Sequence, residues 1–366
     1  MKKAEIALGK DVISLGVGDP DLPTLPPIVE AMVKAVRKPE HHQYPFGTGM
    51  SSFRKAVADW YGRRFGVTID PENEVTALIG SKEGLGHLPL AFVNPGDIVL
   101  VPDPGYPVYH NATIFAGGKP VHMPLRSPHW LPDFKKISAA TWRKTKLMFL
   151  NYPNNPTAAI APPAFFQEVV KLAKRHGVIV CHDAAYTEVS WGPNRPVSFL
   201  EIPGAKDVGI ELHSLSKTFH MTGWRIGYAV GHASIIAGLA KIKENLDSGV
   251  FSAVQEAAVT ALSLSDDRMK EVRKIWSDRM TVLADGLNGI GWPVVKPSAS
   301  YYIWVKIPSQ HGNDSIAISK RILKECQVVV TPGVGFGKYG EGYIRMTTTV
   351  PVPRLREAIQ RLEKLK

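Results

Sequence analysis

Cysteine is scarce: Cys181 and Cys326 are the only two in the chain. That excludes a disulfide framework and fits a reducing compartment. Long apolar runs are missing as well. No stretch approaches the roughly 18 residues that a membrane span needs, so no membrane partner is expected. The opening Met1-Lys2-Lys3 has the charge of a signal n-region, but Glu5 and Lys10 interrupt the adjoining stretch and no apolar h-region appears. A cytoplasmic protein is the expectation. Internal repeats and low-complexity segments are absent. Acidic residues are outnumbered, 33 to 44, for a formal net charge of +11. No long Lys/Arg run or nucleic-acid motif accompanies that surplus. It is read as a solvated surface, compatible with a basic cleft for anionic ligands, and no nucleic-acid partner is expected.

What is present is organised. At 366 residues the chain is too long for one small core and suggests two domains. Apolar residues at 44% and charged residues at 21% are the profile of a soluble globular protein. Short apolar runs alternate with helix-length patterns. "EVTALIG", "DIVLVPDP", "KLMFLNYP", "GVIVCHDAAY", "VGIELHS" and "RIGYAVG" read as buried strands, with helices such as "PAFFQEVVKLAKRHG" between several of them. That alternation predicts an α/β fold with a mostly parallel central sheet and helices on both faces. From about Ser248 to Leu287 the pattern is long and helical. "SYYIWVKI", "CQVVVTP", "GYIRMTTT" and the helix "PRLREAIQRLEKLK" then read as a smaller α/β domain, which the N-terminal segment joins. The expected division is a large domain over 36–250 and a small one formed by 1–35 and 251–366.

Ligands of such sheets bind beyond the carboxyl ends of the strands. The residues there form an unusual set. Gly80-Ser81-Lys82 follows the first strand and opens a helix. Tyr106 follows "VPDPG", and Asn155 sits in "NYPNNPT". Asp183 and Tyr186 end "VIVCHDAAY", while Ser214, Ser216 and Lys217 follow "VGIELH". Pyridoxal 5'-phosphate (PLP) chemistry needs this combination. It requires a lysine for a Schiff base and a carboxylate at the pyridine nitrogen. It also requires a phosphate cup, which a strand-Gly-Ser-helix start provides through backbone N–H groups and the helix dipole. An aromatic ring stacked on the cofactor face completes the set. No metal is expected.

The chain resembles the class I/II aminotransferases of the aspartate aminotransferase fold, fold-type I PLP enzymes, over nearly its whole length. "SLSKTFHMTGWRIGY" is similar to the family's lysine signature, "NYPNNPT" to its asparagine loop, "HDAAYTEV" to its aspartate strand and "IRMTTT" to its substrate-arginine strand. They come in the family's order, with Asp183 34 residues before Lys217. The resemblance implies a three-layer PLP-transferase fold and transfer of an amino group between an L-amino acid and a 2-oxo acid. It makes Lys217 the Schiff-base lysine and proton shuttle, and Asp183 the partner of the pyridinium nitrogen. Asn155 and Tyr186 bond the phenolic oxygen, and Tyr106 stacks on the ring. Ser81, Lys82, Ser214, Ser216 and Arg225 hold the phosphate region. Arg345 forks onto the substrate carboxylate, with Gly18, Lys82 and Asn155 also near substrate. Tyr44 reaches the phosphate of a neighbouring subunit, which implies a homodimer with shared active sites.

Each residue taken singly has a plain structural reading: a surface lysine, a turn aspartate, an Asn-Pro turn, a packing tyrosine. His182 and His213 are expected to pack. "VVVTPGVGFGKYG" has the look of a dinucleotide loop, but it lacks both the helix and the downstream acid of that fingerprint. It is read as a flexible loop near the substrate entrance. Among family members the resemblance runs nearest to the LL-diaminopimelate aminotransferases through "GSKEGLGHLPLAFVNPGDIVLVPDPGYPVY", with 2-oxoglutarate as acceptor. Those enzymes tend to carry an acid near the position of Tyr44 for the substrate's distal ammonium, and "YPFGTGM" has none. Alanine, aspartate and aromatic donors stay open, as does a lyase of the same fold.

Overall fold

The computed structural model describes residues 2–45, 47–193 and 195–365. Eight strands form one sheet: β1 (Val75–Leu78), β2 (Ile98–Asp103), β3 (Lys119–Arg126), β4 (Leu131–Pro132), β5 (Thr145–Asn151), β6 (Ile179–Asp183), β7 (Gly209–Ser214) and β8 (Gly227–Gly231). Their spatial order is β1-β8-β7-β6-β5-β2-β3-β4. The strands from β7 across to β3 run parallel, whereas β8 is antiparallel to both neighbours and β4 turns back on β3. The central strands are almost wholly buried and rich in Val, Ile and Leu, as expected when both faces are covered. One face packs against helices Ser81–Phe92, Val108–Phe115 and Ala233–Leu246, through Leu85, Leu88, Tyr109, Ile236 and Leu239. The other packs against helices Ser51–Phe65, Pro163–His176 and Ser252–Leu262. Pro163–His176 shows how local signals place an element. A proline opens it, Phe165, Phe166, Val169, Val170 and Ala173 make its buried stripe, and Gly177 ends it at φ 65°.

A second core lies around strands Tyr302–Lys306 and Tyr343–Thr347, which pair antiparallel. Ile13–Ser14 joins it by pairing parallel with Val328–Val329. The hydrophobic clusters do not divide at 35/36 and 250/251. Ile28, Val254, Ala257 and Ala258 belong to the large cluster, while Ile13 and Leu15 belong to the second. The long helical pattern is also two helices, Ser252–Leu262 and Asp266–Gly289. Ser265 breaks it by accepting a hydrogen bond from the Arg268 N–H, with Asp266 and Asp267 in the new first turn. The second helix contributes Met269, Val272 and Trp276 to the large cluster and Met280, Leu283 and Leu287 to the other. It is thus a spine shared by both cores.

His182 and His213 do pack, and around a buried charge. Glu211 is fully buried. It receives hydrogen bonds from the Tyr61 hydroxyl at 2.7 Å, the Phe199 N–H at 2.7 Å and Ser198, and its Oε1 lies 2.7 Å from His182 Nδ1. Burial alone would raise its pKa, but the two histidines and these donors outweigh that and hold it well below the ordinary value. The cluster fixes β7 against β6 one residue before Asp183. No helix among the described residues is long and apolar enough to cross a membrane, and both cysteines are free and buried.

Candidate active site

Asp183 and Lys217 lie at the carboxyl ends of β6 and β7, and Arg345, from the second core, reaches the Asn155 loop beside them. Ser214 ends β7, and a single helical turn, Leu215–Thr218, carries Ser216 and Lys217. The Lys217 ammonium donates to the Gly18 carbonyl at 2.8 Å, and the Tyr301 hydroxyl donates to the Lys217 carbonyl. Burial pushes the Lys217 pKa down to about 8, the charges of Arg225 and Arg345 push the same way, and Asp19 opposes them. The amine is thereby brought within reach of neutrality near physiological pH.

Asp183 shifts in the opposite direction. It is 5% exposed, and burial raises its pKa against the Tyr109 hydrogen bond and the nearby His182 and His213. The Tyr109 hydroxyl donates to Oδ2 at 2.7 Å, whereas Oδ1 is buried with no partner. A buried carboxylate oxygen without a donor is costly. A cationic N–H facing it would remove that cost.

The Gly80 turn, the expected phosphate cup, is tightly packed. Gly80 has φ 73°, and a Cβ there would overlap the Arg225 guanidinium. Gly227 lies under Ser81, where a Cβ would stand 2.9 Å from the Ser81 nitrogen. Small residues therefore let β8, the Gly80 turn and the N-terminus of helix Ser81–Phe92 close up. Arg225, at φ 55°, donates to the Thr222 carbonyl at 3.0 Å and borders the turn. The Ser216 hydroxyl is buried without a partner. Ser81 is half-buried and Lys82 is exposed. Glu83 anchors the same helix start, accepting from the Ile79 N–H at 2.9 Å and from Lys243 at 2.8 Å. Glu83, His87 and Asp247 bring ligand atoms within 4.8 Å of one another, but Lys243 already supplies the cation there.

Arg345 is buried between two rings, 4.2 Å from the centre of Tyr302 and 4.7 Å from that of Phe336. Its two terminal nitrogens donate to Asn155 Oδ1 and the Gly16 carbonyl, each at 2.7 Å, and its Nε has no partner. The Asn155 loop is itself held by Asn151, whose Oδ1 accepts from the Asn155 N–H at 2.7 Å and whose amide donates to the Asp183 carbonyl at 2.8 Å. Tyr186 and Tyr302 share a hydrogen bond at 2.6 Å. Gly18 packs so closely under the Tyr302 hydroxyl that a Cβ would overlap it. Tyr106 is half-buried and meets Tyr109 edge-to-face at 6.0 Å. Tyr44 lies on the surface, 76% exposed.

Sequence reasoning missed Tyr109, Tyr301, Tyr302 and Phe336. The two adjacent tyrosines opening "SYYIWVKI" were the available signal, since a strand start holding two aromatics puts them on opposite faces. The segment 328–340 is also not the flexible loop expected. It folds into two 3₁₀ turns, Gly333–Phe336 and Lys338–Gly340, with Gly333 packed against the Gly340 carbonyl and Phe336 over Arg345.

The shifted lysine is directly measurable. Acetylation of the cofactor-free chain, followed by mass spectrometry of the Lys217 peptide, should show a reactivity midpoint near pH 8 rather than at the ordinary 10.5. Arg345→Gln should move that midpoint upward by removing one positive charge. A midpoint at the ordinary lysine value would contradict the buried, cation-flanked placement.

Known proteins share both this sequence and this geometry. The family described as aminotransferase class I and II matches residues 10–362. The LL-diaminopimelate aminotransferase of Nitratidesulfovibrio vulgaris (strain DSM 19637 / Miyazaki F) is 54% identical over 99% of this chain and 94% of its own length. That of Aquifex aeolicus is 50% identical over 100% and 94%. Among solved structures, substrate-bound BacF from Bacillus subtilis superposes with a TM-score of 0.95 at 40% identity, covering 100% of this chain and 93% of that one. Aspartate aminotransferase from Thermotoga maritima gives 0.92 at 29%, covering 100% and 94%. With a lysine, an aspartate and an arginine gathered at one rim, and with relatives matched along essentially the full chain, this protein belongs to the class I and II aminotransferase family and is an aminotransferase.

Proposed function

We propose that the chain moves an amino group between LL-diaminopimelate and 2-oxoglutarate, a step of lysine biosynthesis, using PLP. The observation that carries the cofactor reading is the buried Asp183 oxygen with no partner. The residues fit PLP: that carboxylate suits a pyridinium N–H, the Gly80 turn and the Ser216 hydroxyl suit a phosphate, and the Lys217 amine suits a covalent hold on an aldehyde. When bound, PLP supplies the electron-withdrawing ring that stabilises negative charge at the substrate Cα.

The chain's own residues do the rest. Asp183 would hold a pyridinium nitrogen in its protonated form. Lys217 Nζ, neutral once its proton is lost, takes the proton from the substrate Cα, and its depressed pKa keeps that form populated. The Asn155 amide and the Tyr186 hydroxyl would hold the phenolic oxygen, and Tyr106 would cover the ring face. The Ser81 and Lys82 N–H groups, Ser214, Ser216 and Arg225 would hold the phosphate. Arg345 binds the α-carboxylate bidentately, a geometry that lysine's point charge does not reproduce. The Gly18 segment, already bonded to Lys217 and packed under Tyr302, closes the site from above. Exposure of Tyr44 supports a symmetric homodimer in which it meets the partner's phosphate.

The deciding experiment is a panel of amino donors with 2-oxoglutarate. LL-diaminopimelate should give the highest kcat/KM. A donor such as aspartate, alanine or an aromatic amino acid exceeding it would reassign the substrate, and product release without any 2-oxo acid would indicate a lyase.

Asp183→Asn should separate function from stability. Turnover should fall by at least about a hundredfold, the low end for losing a positioned electrostatic partner. Because burial raises this carboxyl's folded-state pKa, the charged form costs stability. That cost is absent below the unfolded value and grows as pH rises through the folded one. The cofactor-free Asp183→Asn chain should therefore unfold at higher denaturant than the parent at neutral pH. A less stable variant with normal turnover would remove the assignment.

Tyr44 is tested by subunit mixing. Tyr44→Phe should weaken PLP retention, a hydroxyl bond to a charged phosphate being worth about 1.5–3 kcal/mol. In a heterodimer with Lys217→Ala, the one site holding an intact Lys217 should regain parental cofactor affinity. No recovery in verified heterodimers would assign Tyr44 a local role.

A further inference from the structure

Asp103, the last residue of β2, takes no part in the amino-transfer chemistry, yet it is a carboxylate only 1% exposed. Its contacts are with a different part of the molecule. Oδ1 accepts from the Tyr339 N–H at 3.0 Å. Gly337, at φ 124°, sits so close that a Cβ would overlap that same carboxylate. Oδ2 lies 3.0 Å from His122 Nδ1, outside hydrogen-bond geometry. Two residues further on, the Gly105 N–H donates to the Phe336 carbonyl at 2.8 Å.

These contacts join two functional pieces. On one side is the tight turn 103–106 that presents Tyr106. On the other is the 333–340 segment, whose Phe336 ring backs the Arg345 guanidinium at 4.7 Å. Packing does not fill the whole seam. A cleft of about 240 Å3 opens there, bordered by Tyr106, Tyr109, His110, Phe336 and Gly337. With that side open, the two hydrogen bonds and the close Gly337 approach are what hold the pieces in register. Arg126, 5.5 Å from the centre of the Tyr339 ring, adds a further contact to the same segment.

We propose that Asp103 is a positioning residue for amino transfer. Through Tyr339 and Gly337 it locks the Phe336 segment to the Tyr106 turn and so fixes the carboxylate-binding arginine relative to the ring-covering tyrosine. The proposal rests on the reading of Arg345 as the substrate-carboxylate ligand. Its energetic logic is that of orientation: a displacement of the fork by a fraction of an ångström to an ångström weakens every substrate that carries an α-carboxylate and leaves the cofactor's own ligands in place.

The test is a KM-against-kcat split on the holoenzyme. Asp103→Ala should raise KM for the amino donor and for the 2-oxo acid together, by about tenfold or more, with PLP affinity within about twofold of the parent, since no cofactor contact is touched. Asp103→Asn, which keeps an oxygen for the Tyr339 N–H, should recover most of the loss. Gly337→Ala, which forces a methyl group onto the carboxylate, should give the same split without altering Asp103. Loss of PLP affinity and thermal stability with KM unchanged would make Asp103 a merely structural residue and overturn the proposal. Arg345→Gln measured alongside keeps the two readings apart. KM raised by Arg345→Gln and not by the Asp103 or Gly337 variants overturns the lock alone, and KM raised by none overturns both.

Discussion

A single buried guanidinium ties the molecule together. Arg345 comes from the C-terminal strand pair, its nitrogens reach the Gly16 carbonyl of the N-terminal segment and the Asn155 side chain of a central-sheet loop, and two aromatic rings cover its faces. A positive charge taken out of water in this way needs partners for its donors and cover for its faces. The surroundings meet that demand by drawing three distant stretches of chain to one point. The Asn151–Asn155 bonds, the Gly18–Tyr302 approach and the 333–340 turns can all be understood as supports for that arrangement. Two of the five N–H groups are used in these bonds, and the others, the unpartnered Nε among them, are left open to a ligand.

Around it the electrostatics are divided between two poles. Burial pushes a lysine toward neutrality and an aspartate toward protonation, and neither is paired with the other. Lys217 points to a carbonyl and lies among positive charges, whereas Asp183 has one oxygen bonded to Tyr109 and the other bare. Two groups whose affinities for protons are moved in opposite senses on one rim are what acid–base chemistry at neutral pH needs. Glu211 shows the alternative outcome one strand over. It is just as buried, but surrounded by donors it stays ionised and serves only to clamp strands.

The legible part of the site was the part written in short, local stretches. Asp183 ends a strand, and Lys217 and Asn155 follow one within a few residues, so alternation of apolar runs located them. The helix break at Ser265 and the reversed direction of β8 were not legible. A capping serine inside a long amphipathic pattern looks like any exposed serine, and strand direction depends on the route of the connection rather than on strand composition. Tyr109, Tyr301, Tyr302 and Phe336 were missed because a buried tyrosine reads as core until its hydroxyl's partner is known.

The sequence by itself determined the alternating α/β architecture and showed a lysine and an aspartate at strand ends, because periodicity and strand-end chemistry act over a few residues and do not depend on distant contacts; the arginine came only through the family resemblance. Only the tertiary structure decided which core each helix joined, that Asp266–Gly289 would serve both, and that residues 333–340 would pack as ordered turns against Asp103. Those outcomes depend on what happens to lie across the seam: a carbonyl, a carboxylate or a ring brought there by chain more than two hundred residues away. No window of sequence contains that neighbour, so no local pattern encodes it.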